Sequence, residues 1–237
     1  MKRPIPIFLV LLCIGINPIS AQETQLPYSI PIVVVKYFPV KDTLIDKNLT
    51  GDWGASLNYT RLKIDTIISG VIKALEEGSR FRGYKNKDAK PSLKYSILDT
   101  YEFLEPMPTY EKPFHKVPMT DYRKIVERID IKKWIEEKGV KEVWIFGYHG
   151  GVIDLWESNM SSPFGDVSNS DRDEKDLPIF SKTYTVYHYN YQRHISEAVE
   201  DHIHQDEAVF YNVDKELFWN KFVGWFPGGK WGKRKQK

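Results

Sequence analysis

The feature that most constrains the fold is an unbroken apolar run near the start of the chain, "IPIVVVKYFPV", at residues 30–40. Its β-branched residues are typical of a strand, and the lack of polar alternation predicts a strand that is covered on both faces. Strands of this kind belong to parallel sheets, because the crossover connections of such sheets place helices on both faces. The run therefore predicts a central sheet between layers of helices.

The segments that follow alternate between helical and strand patterns. Apolar residues at helical spacing from Leu62 to Leu75 predict a helix that Gly78 ends. Residues 92–106, "SLKYSILDTYEFLEP", alternate like a strand, and residues 120–139 carry the cap and apolar pattern of a second helix. The order strand, helix, strand, helix is typical of α/β folds.

Two further strands extend this pattern. Residues 143–146, "VWIF", are continuously apolar, and residues 183–190, "TYTVYHYN", are rich in β-branched and aromatic residues. We therefore predict that residues 22–224 form a single α/β domain with a largely parallel central sheet flanked by helices.

The first residues have the organisation of a secretory signal peptide. Lys2 and Arg3 precede an apolar stretch from Ile5 to Ile16, and a polar segment of small residues leads to Ala21. The apolar stretch is shorter than the roughly 20 residues that span a bilayer. Residues 1–21 are therefore predicted to be a signal peptide, which implies a secreted or periplasmic protein without a transmembrane anchor after cleavage.

Removal of a signal peptide would change the bulk chemistry of the chain. The single cysteine, Cys13, would leave with it, so the mature protein would form no disulfide. The 34 basic residues would fall to 32 with the loss of Lys2 and Arg3, matching the 32 acidic ones. Basic residues are then concentrated in residues 225–237, which are predicted to be a flexible tail. Because only this tail is basic and export removes most such partners, we expect no nucleic-acid partner.

Polar side chains follow the strand at residues 143–146 directly, within "GYHGGVIDLWES". Ligands of open α/β sheets bind beyond the carboxyl ends of the strands. We therefore predict that Tyr148, His149 and Asp154 bind substrate and that Glu157 is a catalytic carboxylate.

The next segment, residues 159–178, shows neither helical nor strand periodicity. A loop of that length is either functional or disordered. Asn169, Asp171 and Asp173 alternate as calcium ligands do, but the glycine and the distal glutamate of an EF-hand loop are absent. Calcium binding is therefore not the favoured interpretation.

Residues 193–207, "RHISEAVEDHIHQDE", concentrate titratable groups on one predicted helix. At about 100° per residue, four of these groups fall on one stripe: Arg193, Glu197, Glu200 and His204. The opposite side is apolar and is predicted to be buried: Ile195, Val199, Ile203 and Phe210. Since His202 and His204 are two residues apart and point in nearly opposite directions, they cannot share an ion, and we predict that His202 packs in the core.

Two interpretations of the polar stripe remain open. Glu200 and His204 have the i, i+4 spacing with which two side chains share a ligand, and crowding of Glu197 against Glu200 raises one carboxyl pKa, as a general acid requires. Alternatively, the stripe is a solvated helix face whose i, i+4 pairs contribute a few tenths of a kcal/mol each.

Several motifs together resemble a family of secreted, mostly bacterial proteins. The motifs are Trp-x-x-Gly, Glu-Ser-x-Met and Asn-Tyr-x-Arg-x3-Glu-x2-Glu-x3-His. They match Trp144, Gly147, Glu157, Ser158, Met160, Asn190, Tyr191, Arg193, Glu197, Glu200 and His204. The resemblance covers residues 30–222 and implies export but assigns no activity. It also implies a further segment rich in Gly, His, Pro and Asn, where this chain has "GWFPGGKWGKRKQK".

The leading functional hypothesis is an exported hydrolase that acts on an extracellular polymer, a glycan in preference to a peptide. Its predicted catalytic residues are Glu157, Arg193, Glu197, Glu200 and His204. A divalent metal could assist, with Glu200, His204 and His149 as ligands. The alternatives are a non-catalytic carbohydrate-binding or surface-adhesion module, whose aromatic residues would stack on the ligand, and a buried polar network with a structural role. The sequence predicts no oligomeric state.

Overall fold

The structure is a computed structural model that describes residues 26–81, 83–169 and 177–224. Its strands are β1 (Tyr28–Tyr37), β2 (Val40–Lys41), β3 (Leu44–Ile45), β4 (Leu93–Phe103), β5 (Thr109–Tyr110), β6 (Met119–Thr120), β7 (Glu142–Gly147), β8 (Ser158–Ser161) and β9 (Tyr184–Asn190). Its helices are α1 (Lys47–Thr50), α2 (Leu57–Gly78), α3 (Tyr122–Arg128), α4 (Ile131–Glu136), α5 (Ile195–Val213) and α6 (Lys215–Leu217), followed by a π-helical turn (Phe218–Phe222).

The central sheet confirms the predicted fold class. Its strand order is β4-β1-β7-β9-β8, and the first four strands are parallel to one another, whereas β8 runs antiparallel to β9 at the edge. In β1, Ile32 to Val35 are fully buried, as the unbroken apolar run predicted. The hydrophobic core lies between this sheet and the helices on its two faces.

Successive residues of β9 show how the helices are divided between the two faces. His188 contacts Tyr122 in α3, and the next residue, Tyr189, contacts His202 in α5. Because successive strand residues point to opposite faces, α3 and α5 cover opposite sides of the sheet. Helix α2 lies on the α5 side, where a side chain at Gly70 would collide with Ile195.

Helix α2 forms as its sequence predicts. The Ser56 hydroxyl accepts a hydrogen bond from the Tyr59 amide and caps the first turn. One face then buries Ile64, Ile67, Ile68 and Val71 against the sheet.

The prediction of one helix over residues 120–139 is wrong, because the chain forms α3 and α4 with a break between them. Asp130 lies in the break with φ of 54° and begins α4. Ile129 and Ile131, on either side of it, are both buried. A continuous helix would point residues two apart in nearly opposite directions, so the left-handed residue is what lets both isoleucines reach the core.

The prediction that residues 159–178 lack strand structure is also wrong at their start. The short polar strand β8 pairs with β9 through Ser158 to Ser161. A four-residue polar strand carries no hydrophobic alternation, so it could not be recognised from the sequence.

Some predictions concern residues outside those described. These are the signal peptide at residues 1–21, the tail at residues 225–237, and two of the residues considered as calcium ligands, Asp171 and Asp173. No helix in the described part of the chain combines the length and apolar composition needed to cross a membrane.

Helix α5 differs from its prediction in both start and orientation. It begins at Ile195 with His194 as its N-cap, so Arg193 precedes the helix. Its buried residues are Ala198, His202 and Gln205. Of the predicted apolar face, Ile195 and Val199 are partly buried against the core, whereas Ile203 and Phe210 are about half exposed. The prediction that His202 packs in the core is confirmed.

The buried face of α5 is polar because the sheet supplies hydrogen-bond partners. The His202 imidazole bonds to the Tyr189 hydroxyl, and Gln205 accepts a hydrogen bond of 2.7 Å from the Ser158 hydroxyl. Buried polar groups with partners lose little free energy, so they can occupy a face that periodicity alone assigns to apolar residues.

Candidate functional site

A cleft of about 430 Å³ opens beyond the carboxyl ends of β7 and β9, where ligands of open α/β sheets bind. Its walls come from the loop after β7, from the end of β9, and from α2 and the first turns of α5. The lining residues are Ile67, His149, Asp154, Leu155, Trp156, Glu157, Asn169, His188, Tyr189, Asn190, Arg193, His194, Glu197, Ala198 and Asp201.

Glu157 connects the loop before β8 to helix α5. Its Oε2 atom accepts a hydrogen bond of 2.7 Å from His204 Nδ1 and one of 2.8 Å from Asn169 Nδ2. The hydrogen bond that His204 donates to Glu157 raises the pKa of His204, which favours a charged imidazolium beside the carboxylate. The structure thus brings together two of the predicted catalytic residues, which lie 47 positions apart.

Asp201 is the cleft residue that the sequence reasoning missed. The pKa of its carboxyl group is raised to about 8, chiefly by burial and also by the nearby Glu157 carboxylate, while the charge of Arg193 partly opposes the change. No hydrogen bond or ion pair engages this carboxyl group within the described ranges. Asp201 shares a face of α5 with buried Ala198 and Gln205, a signal that becomes visible only when the buried face is known.

His149 has a defined proton arrangement. Its Nδ1 atom lies within hydrogen-bond distance of the Ile153 carbonyl oxygen, and a carbonyl can only accept, so Nδ1 carries a proton. In the neutral imidazole Nε2 is then the acceptor. His149 lines the cleft, as its predicted role in substrate binding requires, and it can accept a proton or a hydrogen bond there.

The loop that carries His149 depends on a close contact between two glycines. Gly51 and Gly150 both have positive φ, and their backbones touch. We expect Gly150→Ala to lower the free energy of unfolding by about 2 kcal/mol or more, because the new methyl group would overlap the Thr50 carbonyl oxygen in addition to straining the backbone. Urea unfolding measures this change.

Gly151→Ala is the matched control for this effect. Gly151 also has positive φ, but open space surrounds the position of its absent side chain. Its substitution should therefore cost only the left-handed strain, about 1–2 kcal/mol. Equal losses in the two variants would show that the contact between the loops contributes nothing.

Asp154 lies in the cleft wall and ties down the segment at residues 111–118, here called the strap. His115 Nδ1 in the strap is 2.7 Å from Asp154 Oδ2, and the Lys112 ammonium lies 4.5 Å from the centre of the Trp156 ring. Between these two ties, Phe114 is fully exposed with φ of 69°. An exposed aromatic side chain therefore lies on a segment that is bonded to two residues of the cleft wall.

The other predicted residues lie in different environments. Tyr148 is buried, its hydroxyl accepts a hydrogen bond from the Met107 amide, and it does not line the cleft. Glu197 lines the cleft but accepts hydrogen bonds from the Ser196 hydroxyl and the His194 amide, and the bond from Ser196 is the main cause of its lowered pKa. Glu197 therefore stabilises the first turn of α5 by accepting a hydrogen bond from the N-cap residue.

The remaining members of the predicted stripe are divided between the cleft and the solvent. Arg193 lines the cleft, where its charge lowers the pKa of Asp201. Glu200 is exposed, lies 3.8 Å from His204 Nε2, and is not part of the cleft wall. The predicted metal ligands, Glu200, His204 and His149, do not form a binding group, because no cluster of three His, Cys, Asp or Glu side chains suited to a metal occurs among the described residues.

His188 is a second cleft residue that the sequence reasoning did not select. Its Nδ1 atom lies 3.0 Å from the Tyr122 hydroxyl, and burial lowers the pKa of the imidazole to about 3. Its Nε2 atom is buried and has no hydrogen-bond partner within the described ranges. The side chain is therefore neutral at ordinary pH, and it lines the cleft beneath the charged groups.

Comparison with known proteins gave no match: no family model, no curated protein and no solved structure is significantly similar to this chain. The resemblance to a secreted family therefore stays a prediction.

Proposed function

We propose that this protein is an exported hydrolase that cleaves a glycan in the cleft between β7, β9 and α5. The observation that carries the proposal is the presence of two carboxyl groups with opposite environments in one cleft. Glu157 accepts hydrogen bonds from His204 and Asn169, whereas Asp201 is desolvated and has a pKa raised to about 8. Glycoside hydrolysis uses a pair of carboxyl groups, one of which donates a proton while the other acts as a base or nucleophile.

In this proposal Asp201 is the general acid. At neutral pH it holds a proton, which it gives to the glycosidic oxygen as the bond from that oxygen to the anomeric carbon breaks. Water supplies the hydroxyl group that the anomeric carbon gains. Glu157 is the carboxylate that either attacks this carbon first or removes a proton from the attacking water, and its hydrogen bonds with His204 and Asn169 hold it in place.

The surroundings of the carboxyl pair suit a sugar polymer. Asn169 and Asn190 place amide groups in the cleft wall, where they can bond to hydroxyl groups. Phe114, exposed on the strap, offers a face on which a sugar ring can stack. These features support a glycan, because amide groups and an exposed aromatic ring can bind the hydroxyl groups and the ring faces of sugars.

The test is a hydrolysis screen of soluble glycans with the wild type and Glu157→Gln. We expect the variant to lose about 10²-fold or more in kcat/KM, since the amide neither removes a proton nor attacks carbon. Glu207→Gln is the control, since Glu207 also lies on α5 but outside the cleft wall. Binding of a glycan by all three proteins without turnover would contradict the hydrolase and favour a carbohydrate-binding module.

A further inference from the structure

We propose that the glycan bound in the cleft is anionic and that Arg193 pairs with a carboxylate or sulfate group on one of its sugar residues. The inference rests on the proposed function, which makes the ligand a glycan, and it adds the charge of that ligand. Among the described residues, Arg193 is the only arginine or lysine in the cleft wall. Its guanidinium group is therefore the permanent positive charge that an incoming polymer meets there.

Arg193 differs from the other arginines of the described chain in having no acidic partner. No hydrogen bond or ion pair engages its guanidinium group within the described ranges, and the residue is exposed. The other described arginines each form an ion pair with a glutamate: Arg61, Arg80, Arg123 and Arg128. The arginine that is left unpaired is thus the one that lies in the cleft wall.

The turn between β9 and α5 fixes the position of Arg193. Its backbone amide donates a hydrogen bond of 3.0 Å to the Asn190 carbonyl oxygen. The Asn190 Oδ1 atom accepts a hydrogen bond of 3.0 Å from the Gln192 amide, so Asn190 offers its NH2 group as the donor. Arg193 and Asn190 both line the cleft. One turn therefore presents a cation and a neutral hydrogen-bond donor to the same ligand.

The carboxylates of the cleft wall are engaged by other groups. Glu157 and Asp154 each bond to a histidine. Glu197 accepts hydrogen bonds from the N-cap and the first turn of α5. It also lies near Lys63, since burial lowers the pKa of that lysine and the charge of Glu197 opposes the change. Each of these negative charges thus has a partner other than Arg193.

The fourth carboxyl group of the described wall, Asp201, does not neutralise Arg193 at neutral pH. Its pKa is raised to about 8, chiefly by burial, so it is protonated and carries no charge. An ionised Asp201 would instead attract the guanidinium group and repel an anionic polymer. With Asp201 in its acid form, the positive charge of Arg193 is available to an anion from solution.

A guanidinium group favours an acidic sugar over a neutral one. Its planar fork donates two parallel hydrogen bonds to the oxygens of a carboxylate or sulfate group, and such charge-assisted bonds are stronger than neutral ones. A sugar hydroxyl group offers one oxygen and no negative charge. The Asn190 amide can bond to a hydroxyl group of the same sugar residue. Uronic acids and sulfated sugars carry both kinds of group.

Calorimetric titration of the full-length protein with two matched pairs of glycans tests the inference. Polygalacturonate and its methyl ester differ in the charge of a carboxyl group, whereas dextran sulfate and dextran differ in the presence of sulfate. At neutral pH we expect the charged member of at least one pair to bind about ten-fold or more tightly than its neutral partner. The pair that shows the preference identifies the acidic group.

Arg193→Gln removes the proposed partner of that group. We expect its affinity for the preferred charged glycan to fall about ten-fold or more, with no change for the neutral partner. Arg193→Lys keeps the charge but not the fork, and it should bind with intermediate affinity. Arg123→Gln is the matched control, because it removes an equal charge from α3, outside the cleft wall, and should bind as the wild type does. Thermal unfolding shows whether each variant is folded.

Three results would overturn the anionic ligand. They are the absence of binding to both charged glycans, equal binding within both pairs, and equal affinities of Arg193→Gln and Arg123→Gln for the charged glycan. Hydrolysis separates this inference from the proposed function. Binding of a charged glycan that depends on Arg193 but leads to no turnover would support the anionic ligand and contradict the hydrolase. Hydrolysis of neutral glycans alone would support the hydrolase and contradict the anionic ligand.

Discussion

Replacing Asp201 with asparagine is expected to lower kcat/KM for glycan hydrolysis by about 10²- to 10⁴-fold, the usual contribution of a general acid. The asparagine side chain keeps the size of the carboxyl group but has no proton of suitable acidity to give to the leaving oxygen. Since the Asp201 carboxyl group is desolvated and has no hydrogen-bond partner within the described ranges, its loss should leave the fold intact. Initial rates measured with the substrate found in the hydrolysis screen provide the comparison.

The pH dependence of the wild type gives a second measure of the same residue. The pKa of Asp201 is raised to about 8, so the acid is protonated at neutral pH and loses its proton as the pH rises through this value. The general acid must be protonated to act, and we therefore expect kcat/KM to fall on the alkaline side near pH 8. Asp201→Asn should lose this alkaline limb together with most of its activity.

Asp206→Asn is the matched control, because Asp206 lies on the same helix but outside the cleft wall. Its activity and its alkaline limb should resemble those of the wild type. An Asp201→Asn protein that is as active as the Asp206→Asn protein would contradict the assignment of the acid, even if Glu157→Gln were inactive.

Acidification from pH 6.5 to pH 4 should lower the free energy of unfolding by about 3 kcal/mol less in His202→Gln than in the wild type. His202 is buried against Tyr187 and bonded to the Tyr189 hydroxyl, and burial lowers its pKa to about 3. In the unfolded chain a histidine titrates near 6.5. Between these two values the unfolded state binds a proton that the folded state does not, so acidification removes stability.

The difference in the free energy of unfolding between the wild type and His202→Gln reports on His202 alone. Glu142 and Asp201 have raised pKa values, of about 7 and about 8, so they stabilise the folded state as the pH falls and oppose the effect of His202. Both carboxyl groups are present in the variant as well. Urea unfolding of the two proteins at several pH values should show that the cost of His202→Gln shrinks steadily from pH 6.5 to pH 4.

His204→Gln provides a control of opposite sign. The hydrogen bond that His204 donates to Glu157 raises the pKa of His204, so this residue stabilises the folded state at low pH and loses that effect as the pH rises. The cost of His204→Gln should therefore grow on acidification. Parallel curves for the two histidine variants would show that burial of His202 does not control the acid response.

Much of the fold could be predicted from local patterns. In β1, α2 and β7, the spacing of apolar residues along the sequence is enough to show which residues are buried. Two features have no such local pattern. The break at Asp130 depends on which side of the chain meets the core, and strand β8 depends on its pairing with β9.

The candidate site could be predicted only in part. The positions of His149 and Glu157 followed from the rule that ligands bind beyond strand ends, and the cleft contains both. The role of α5 was harder to predict, since the stripe of charged residues pointed to Glu200, whereas the structure places Asp201 in the cleft wall and leaves Glu200 exposed.

The sequence by itself determined the alternation of strands and helices and the kinds of side chain available beyond the strand ends. Only the tertiary structure decided which carboxyl group is desolvated and which is paired. The reason is that periodicity records whether a face is apolar, but the pKa of Asp201 depends on burial and on Glu157, and the latter is brought to α5 from a distant part of the chain. Local patterns cannot carry that information, because solvent exclusion and charge proximity arise when separate elements pack together.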